Sequence, residues 1–69
     1  MTRFQKAIAQ TLLDLALELG HHYSFSPHVM SVQIYRTSDC KSTDILYLDK
    51  DDEELIRGLD KVVQQAYEL

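Results

Sequence analysis

The sequence predicts an α+β domain in which two helices lie on one face of a small antiparallel sheet, ordered α-β-β-α or, with a weaker third strand, α-β-β-β-α. The apolar residues recur every three or four positions near both ends of the chain. They alternate in the middle, and Gly20 and the run Asp49-Lys50-Asp51-Asp52-Glu53-Glu54 mark the two changes of period. At 69 residues and 45% hydrophobic composition the chain forms a single domain, residues 1–69, near the lower size limit for independent folding.

The first helix is expected from about Arg3 to Leu19. Phe4, Ile8, Leu12, Leu15 and Leu19 cover an arc of about 80°, and Ala16, Ala9, Leu13 and Leu17 widen it to roughly 220°. A helix packed on one small sheet needs little more than about 100°. The sector Ala9, Leu13, Ala16 and Leu17 is therefore expected to have no cover within one chain and to form a homodimer interface. Gly20 supplies the stop.

His22 to Ser26 alternates weakly, as a short strand or an ordered loop. Val29 to Thr37 is a clearer strand, with Met30, Val32 and Ile34 on one side and Ser31, Gln33 and Tyr35 on the other. Ser38 to Ser42 is polar and connects it to a strand from Thr43 to Leu48. Leu46 and Leu48 are expected to point inward there, although a slip by one residue exchanges them with Ile45 and Tyr47. The last helix runs from about Asp51 to the C-terminus on an apolar stripe of Leu55, Ile56, Leu59, Val62, Val63, Ala66 and Tyr67. Gly58 sits at the edge of that stripe, either tolerated or admitting a close neighbour. The expected core is Phe4, Ile8, Leu12, Leu15, Met30, Val32, Ile34, Leu46, Leu48, Leu55, Leu59, Val62 and Ala66.

In the order α-β-β-β-α the chain resembles the double-stranded RNA-binding domain in element order and length, with Pro27-His28 similar to a loop which that family sets in the minor groove. The likeness implies a fold but no ligand. That family holds phosphates with lysines at the start of its last helix, where this chain has Asp51, Asp52, Glu53 and Glu54.

Net charge is −4, and the run from Asp49 to Glu54 accounts for all of it, with five acids against one lysine. Acids at a helix start favour its dipole and can cap it, as Asp51 and Glu54 are spaced to do. Capping occupies one or two of them, so Asp49, Asp51, Asp52, Glu53 and Glu54 are also expected to meet a basic partner surface, together with the outward aromatics Tyr35 and Tyr47. The same charge balance disfavours nucleic acid as a partner.

Chemistry-bearing motifs are absent: there is no glycine-rich phosphate loop, no GxSxG, HExxH or CxxC, and the acidic run lacks the glycine of a calcium loop. His21, His22, His28 and Cys40 are zinc-type ligands without zinc-type spacing. No catalytic residue, metal or cofactor is expected. With no apolar run of about 18 residues and an N-terminal segment interrupted by Gln10, Asp14 and Glu18, neither membrane spanning nor secretion is expected, and the cytoplasm is the default address. These readings point to a non-enzymatic protein-interaction module: a small acidic, homodimeric regulator or inhibitor of a larger protein. In size and charge it is similar to viral antagonists, encoded by phages or mobile elements, of host nucleic-acid or defence enzymes. The alternative is an accessory subunit packed permanently on a larger enzyme.

Overall fold

Both helices begin where a side chain stands in for the missing helical acceptors. The computed structural model, which describes all 69 residues, shows α1 over Arg3–Leu19 and α2 over Asp52–Glu68. Thr2 caps α1 reciprocally, its hydroxyl accepting from the Gln5 N–H at 3.1 Å while the Gln5 side chain accepts from the Thr2 N–H at 2.8 Å. Asp51 caps α2 by accepting from the Glu54 N–H at 2.8 Å. Only this half of the expected box forms, because the Glu54 carboxylate turns to Lys50 at 3.9 Å. Gly20, at φ 74°, closes α1: its N–H reaches the Leu17 carbonyl, and the His21 N–H reaches that of Ala16 at 2.8 Å.

Between the helices the chain forms β1 (His22–Ser26), β2 (Ser31–Arg36), β3 (Lys41–Ser42) and β4 (Leu46–Tyr47). β2 is central, with β1 antiparallel on one side and β3 and β4 successively on the other. The weak segment His22–Ser26 is thus a strand. The two clear strands are shorter than expected. Pro27 to Met30 form the first hairpin loop and Thr37 to Cys40 the second, each ending on a left-handed residue, Met30 at φ 49° and Cys40 at φ 58°. Left-handed backbone crowds a Cβ. Met30 is half-buried against the core, whereas Cys40 is exposed. Cys40→Gly is therefore expected to raise stability by about 0.5–1 kcal/mol, read as a higher urea midpoint under reducing conditions.

The third strand is interrupted by a bulge. Tyr35 pairs with Ser42, but Val32, three residues back along β2, pairs with Leu46, four residues on. One extra residue is accommodated between them. Thr43 supports the irregularity. Its N–H donates to the Ile34 carbonyl at 2.8 Å, and its hydroxyl accepts from the Ile34 N–H at 3.2 Å, taking the place of a ladder carbonyl. The same hydroxyl donates to the Asp44 carbonyl at 3.0 Å, and Thr43 is the one buried polar residue. The extra residue moves the inward positions from Thr43 to Leu46 and Leu48, so Leu46 and Leu48 point inward as expected and Tyr47 outward.

Both helices pack on the face that carries Val32, Ile34, Leu46 and Leu48, with α1 over β1 and α2 over β4. They start at the same end of the sheet, where the Gln5 amide donates to the Leu48 carbonyl at 2.8 Å. Ten of the expected core residues are buried, and Phe4, Met30 and Leu59 pack half-buried against them. Gly58 is a close-approach glycine: a Cβ there would land on the Leu46 side chain. No helix is long and apolar enough to cross a membrane.

Two sequence expectations about helix faces are corrected. Ala9 and Ala16, placed in the uncovered sector of α1, are 9% and 0% exposed and belong to the core. The buried arc of α1, running from Leu15 to Ala9, is centred nearer β1 than the leucine row suggests, and the Tyr23 hydroxyl donates to the Ala9 carbonyl at 3.2 Å. Of that sector only Leu13, half-buried, and Leu17, 70% exposed, remain accessible. On α2, Ile56 and Tyr67 leave the apolar stripe for the surface and, with half-buried Val63, form a ridge along one flank.

Candidate interaction surface

Strand alternation sends every second side chain away from the helices. In β1 these are His22, Ser24 and Ser26, because Tyr23 and Phe25 pack inward; in β2 they are Ser31, Gln33 and Tyr35. Ser42 and Tyr47 continue the face across β3 and β4. The resulting surface is open, carries hydroxyls, an amide and three rings, and has no acidic residue, lysine or arginine, although 26% of the chain is charged.

The face is partly preorganised. His22 stacks on Tyr35 with ring centroids 5.2 Å apart and planes 21° from parallel, which leaves Tyr35 half-buried. The Gln33 amide donates to the Ser42 hydroxyl at 3.2 Å and to the Thr43 carbonyl at 3.1 Å, holding it across the bulge. Tyr47 lies opposite Ser31 and is 42% exposed. Tyr35 and Tyr47 thus stand at opposite ends of the face, about 13 Å apart along the strands, with small polar residues between them. The contribution of His22 was not foreseen. The alternation of His22, Ser24 and Ser26 against Tyr23 and Phe25 is its signal in the sequence, but the pairing with Tyr35 exists only once the hairpin closes.

The acidic residues follow β4 and flank the Tyr47 end. Their roles divide: Asp51 caps α2, Glu53 pairs with Arg57 at 2.7 Å, Glu54 faces Lys50, and Asp49 and Asp52 have no partner. Asp44, in the bulge, is tied to α2 instead. Its N–H donates to the Gln65 side chain at 2.8 Å and its carboxylate meets Lys61 at 3.0 Å. The Gln65 amide, and after it the Lys61 ammonium, hold the Asp44 carboxyl below the usual carboxylate range. A carboxyl depressed by folding contributes stability that is complete above its unfolded pKa and disappears as pH falls through the folded value. Asp44→Asn is therefore expected to flatten the acid limb of the unfolding curve below about pH 4 while leaving the neutral region nearly level.

On the helix side of β1, a shallow concavity of about 290 Å³ is lined by Met1, Lys6, Ala9, Gln10, Leu13 and Tyr23. Burial pushes the Tyr23 phenol above its ordinary value. The concavity brings together one amine, one amide and one phenol, with no nucleophile beside a base. Cys40 lies exposed in the second hairpin loop, and nowhere do three His, Cys, Asp or Glu side chains gather closely enough to hold a metal ion. The chain matches no protein-family model, no curated protein and no solved structure.

Proposed function

We propose that this chain is a non-enzymatic protein-interaction module, a small acidic and self-associating regulator or inhibitor that covers a surface of a larger protein with its open sheet face. The observation carrying this reading is the chemistry of that face. A surface of tyrosine, serine and glutamine, without charges to desolvate and with His22 and Tyr35 held by stacking, is close in composition to antibody-type paratopes, which combine tyrosine anchors with serine. Asp49 and Asp52, free of internal partners, add electrostatic steering toward a basic rim on the target. A phage- or mobile-element-encoded antagonist of a host nucleic-acid or defence enzyme is one role this build suits.

The test is capture of partners on the immobilised chain, followed by affinity measurements with the recovered protein. Tyr35→Ala and Tyr47→Ala are each expected to weaken binding about thirtyfold, the effect of losing an aromatic anchor. Asp49→Lys/Asp52→Lys should weaken it less and reduce its salt dependence. Unchanged affinity in the double tyrosine variant, with circular dichroism intact, would remove the open face from the account. The accessory-subunit reading rests instead on the ridge of Ile56, Val63 and Tyr67. It requires binding that ignores salt and collapses in Ile56→Glu.

A further inference from the structure

The two edges of the sheet are treated differently. The β3–β4 edge is short, bulged, and carries Lys41 and the Asp44–Lys61 ion pair, all devices that stop a strand from pairing with another chain. β1, at the other edge, pairs only with β2, has five residues without bulge, proline or formal charge, and is bare on its outer side.

The backbone groups at that edge follow from the pairing. Ile34 directs both its N–H and its carbonyl toward Thr43. In an antiparallel ladder the intervening residues Gln33 and Tyr35 then direct theirs toward β1, where they meet Ser24 and His22. The N–H and C=O groups of Tyr23 and Phe25 consequently point out of the sheet. A second β1 strand running antiparallel, with Ser24 opposite Ser24, sets Tyr23 of each copy against Phe25 of the other. All four outward groups of each strand are then used, in four hydrogen bonds across the junction, the most that this short edge can make.

We infer that the chain forms a two-fold dimer by pairing β1 with β1 of a second copy, giving one continuous sheet six strand positions wide, with β3 and β4 sharing the outer position of each copy. This rests on the self-association part of the reading above and is independent of any larger partner. The occupant is argued from complementarity. The dyad keeps both α1 helices on one face of the joined sheet, running antiparallel, and places the flank of α1 above β1, with Leu13 and Leu17, at the junction. On α1, Lys6 lies between Leu13 and Leu17 on that flank, whereas Arg3, Asp14 and Glu18 fall on the solvent side, away from the junction. The helices therefore meet through Leu13 and Leu17, with the Lys6 stem lying alongside. The open face, uncharged on both copies, becomes a single surface of twice the width.

The experiment combines sedimentation velocity with amide hydrogen exchange on the full chain. The wild type is expected to sediment at twice the 8.0 kDa chain mass, with the Tyr23 and Phe25 amides protected. Ser24→Lys sets two lysines face to face at the dyad on an otherwise exposed position, and should raise the dissociation constant at least about a hundredfold. In that monomer the Tyr23 and Phe25 amides should exchange rapidly while those of His22 and Ser24, paired to β2, stay protected. Leu17→Glu should also weaken the dimer without changing circular dichroism. A monomeric wild type at about 100 μM would overturn the proposal; so would a dimer that persists in Ser24→Lys, or one whose Tyr23 and Phe25 amides exchange freely. Tyr35→Ala and Tyr47→Ala report on the open face separately, so loss of partner binding with the dimer intact implicates only that face.

Discussion

Leu12→Ala is expected to destabilise the folded chain by about 3 kcal/mol, and by as much as about 5 if the core cannot close around the void. Leu12 is completely buried and lies at the centre of the face that α1 presents to the sheet. Truncation removes its transfer free energy and the contacts of its neighbours together. The effect is large relative to what a domain of 69 residues can lose, since stability of about 0.05–0.15 kcal/mol per residue amounts to only about 3–10 kcal/mol. Equilibrium urea unfolding should show the midpoint falling sharply at constant slope, or no folded baseline at all. A loss below about 1 kcal/mol would mean that α1 repacks and that the core is less specific than its burial indicates. Ala9→Ser and Ala16→Ser provide a companion measurement, because each introduces a hydroxyl into a position that the sequence alone places on the surface.

Thr43→Val should cost about 1–3 kcal/mol although it leaves the side chain almost the same size. The hydroxyl satisfies the buried Ile34 N–H and itself donates to the Asp44 carbonyl, so valine strands a donor in the middle of the sheet. The Ile34 amide should exchange at least about tenfold faster in Thr43→Val, and close to the wild-type rate in Thr43→Ser, which keeps the hydroxyl. Equal behaviour of the two variants would show that the bulge is held by the backbone alone. Because the bulge sets the phase that turns Leu46 inward and Tyr47 outward, its loss should also disturb the Tyr47 end of the open surface.

The helices were legible in the sequence because their determinants are local. The apolar period, Gly20 at the end of α1 and Asp51 at the start of α2 lie within a few residues of the hydrogen bonds that they govern. The inward set Met30, Val32 and Ile34 was legible from alternation, and Tyr35 on the opposite face followed from the same period of two.

What the tertiary structure decided depends on which residue meets which. Thr43 looks like an ordinary strand residue until β2 lies alongside it and its hydroxyl replaces a carbonyl. The sum of the apolar positions on α1 is visible in the sequence, but the placement of β1 beside the helix selects the arc that is covered. That placement buries Ala9 and Ala16 and leaves Leu13 and Leu17 at the margin. Likewise the acids from Asp49 to Glu54 read as one cluster, whereas cap and ion-pair geometry separates them into three engaged carboxylates and two free ones. Local spacing determines helix and strand because their bonds or side-chain directions repeat along the chain; register, tilt and pairing are set by contacts between segments, and only the assembled fold contains them.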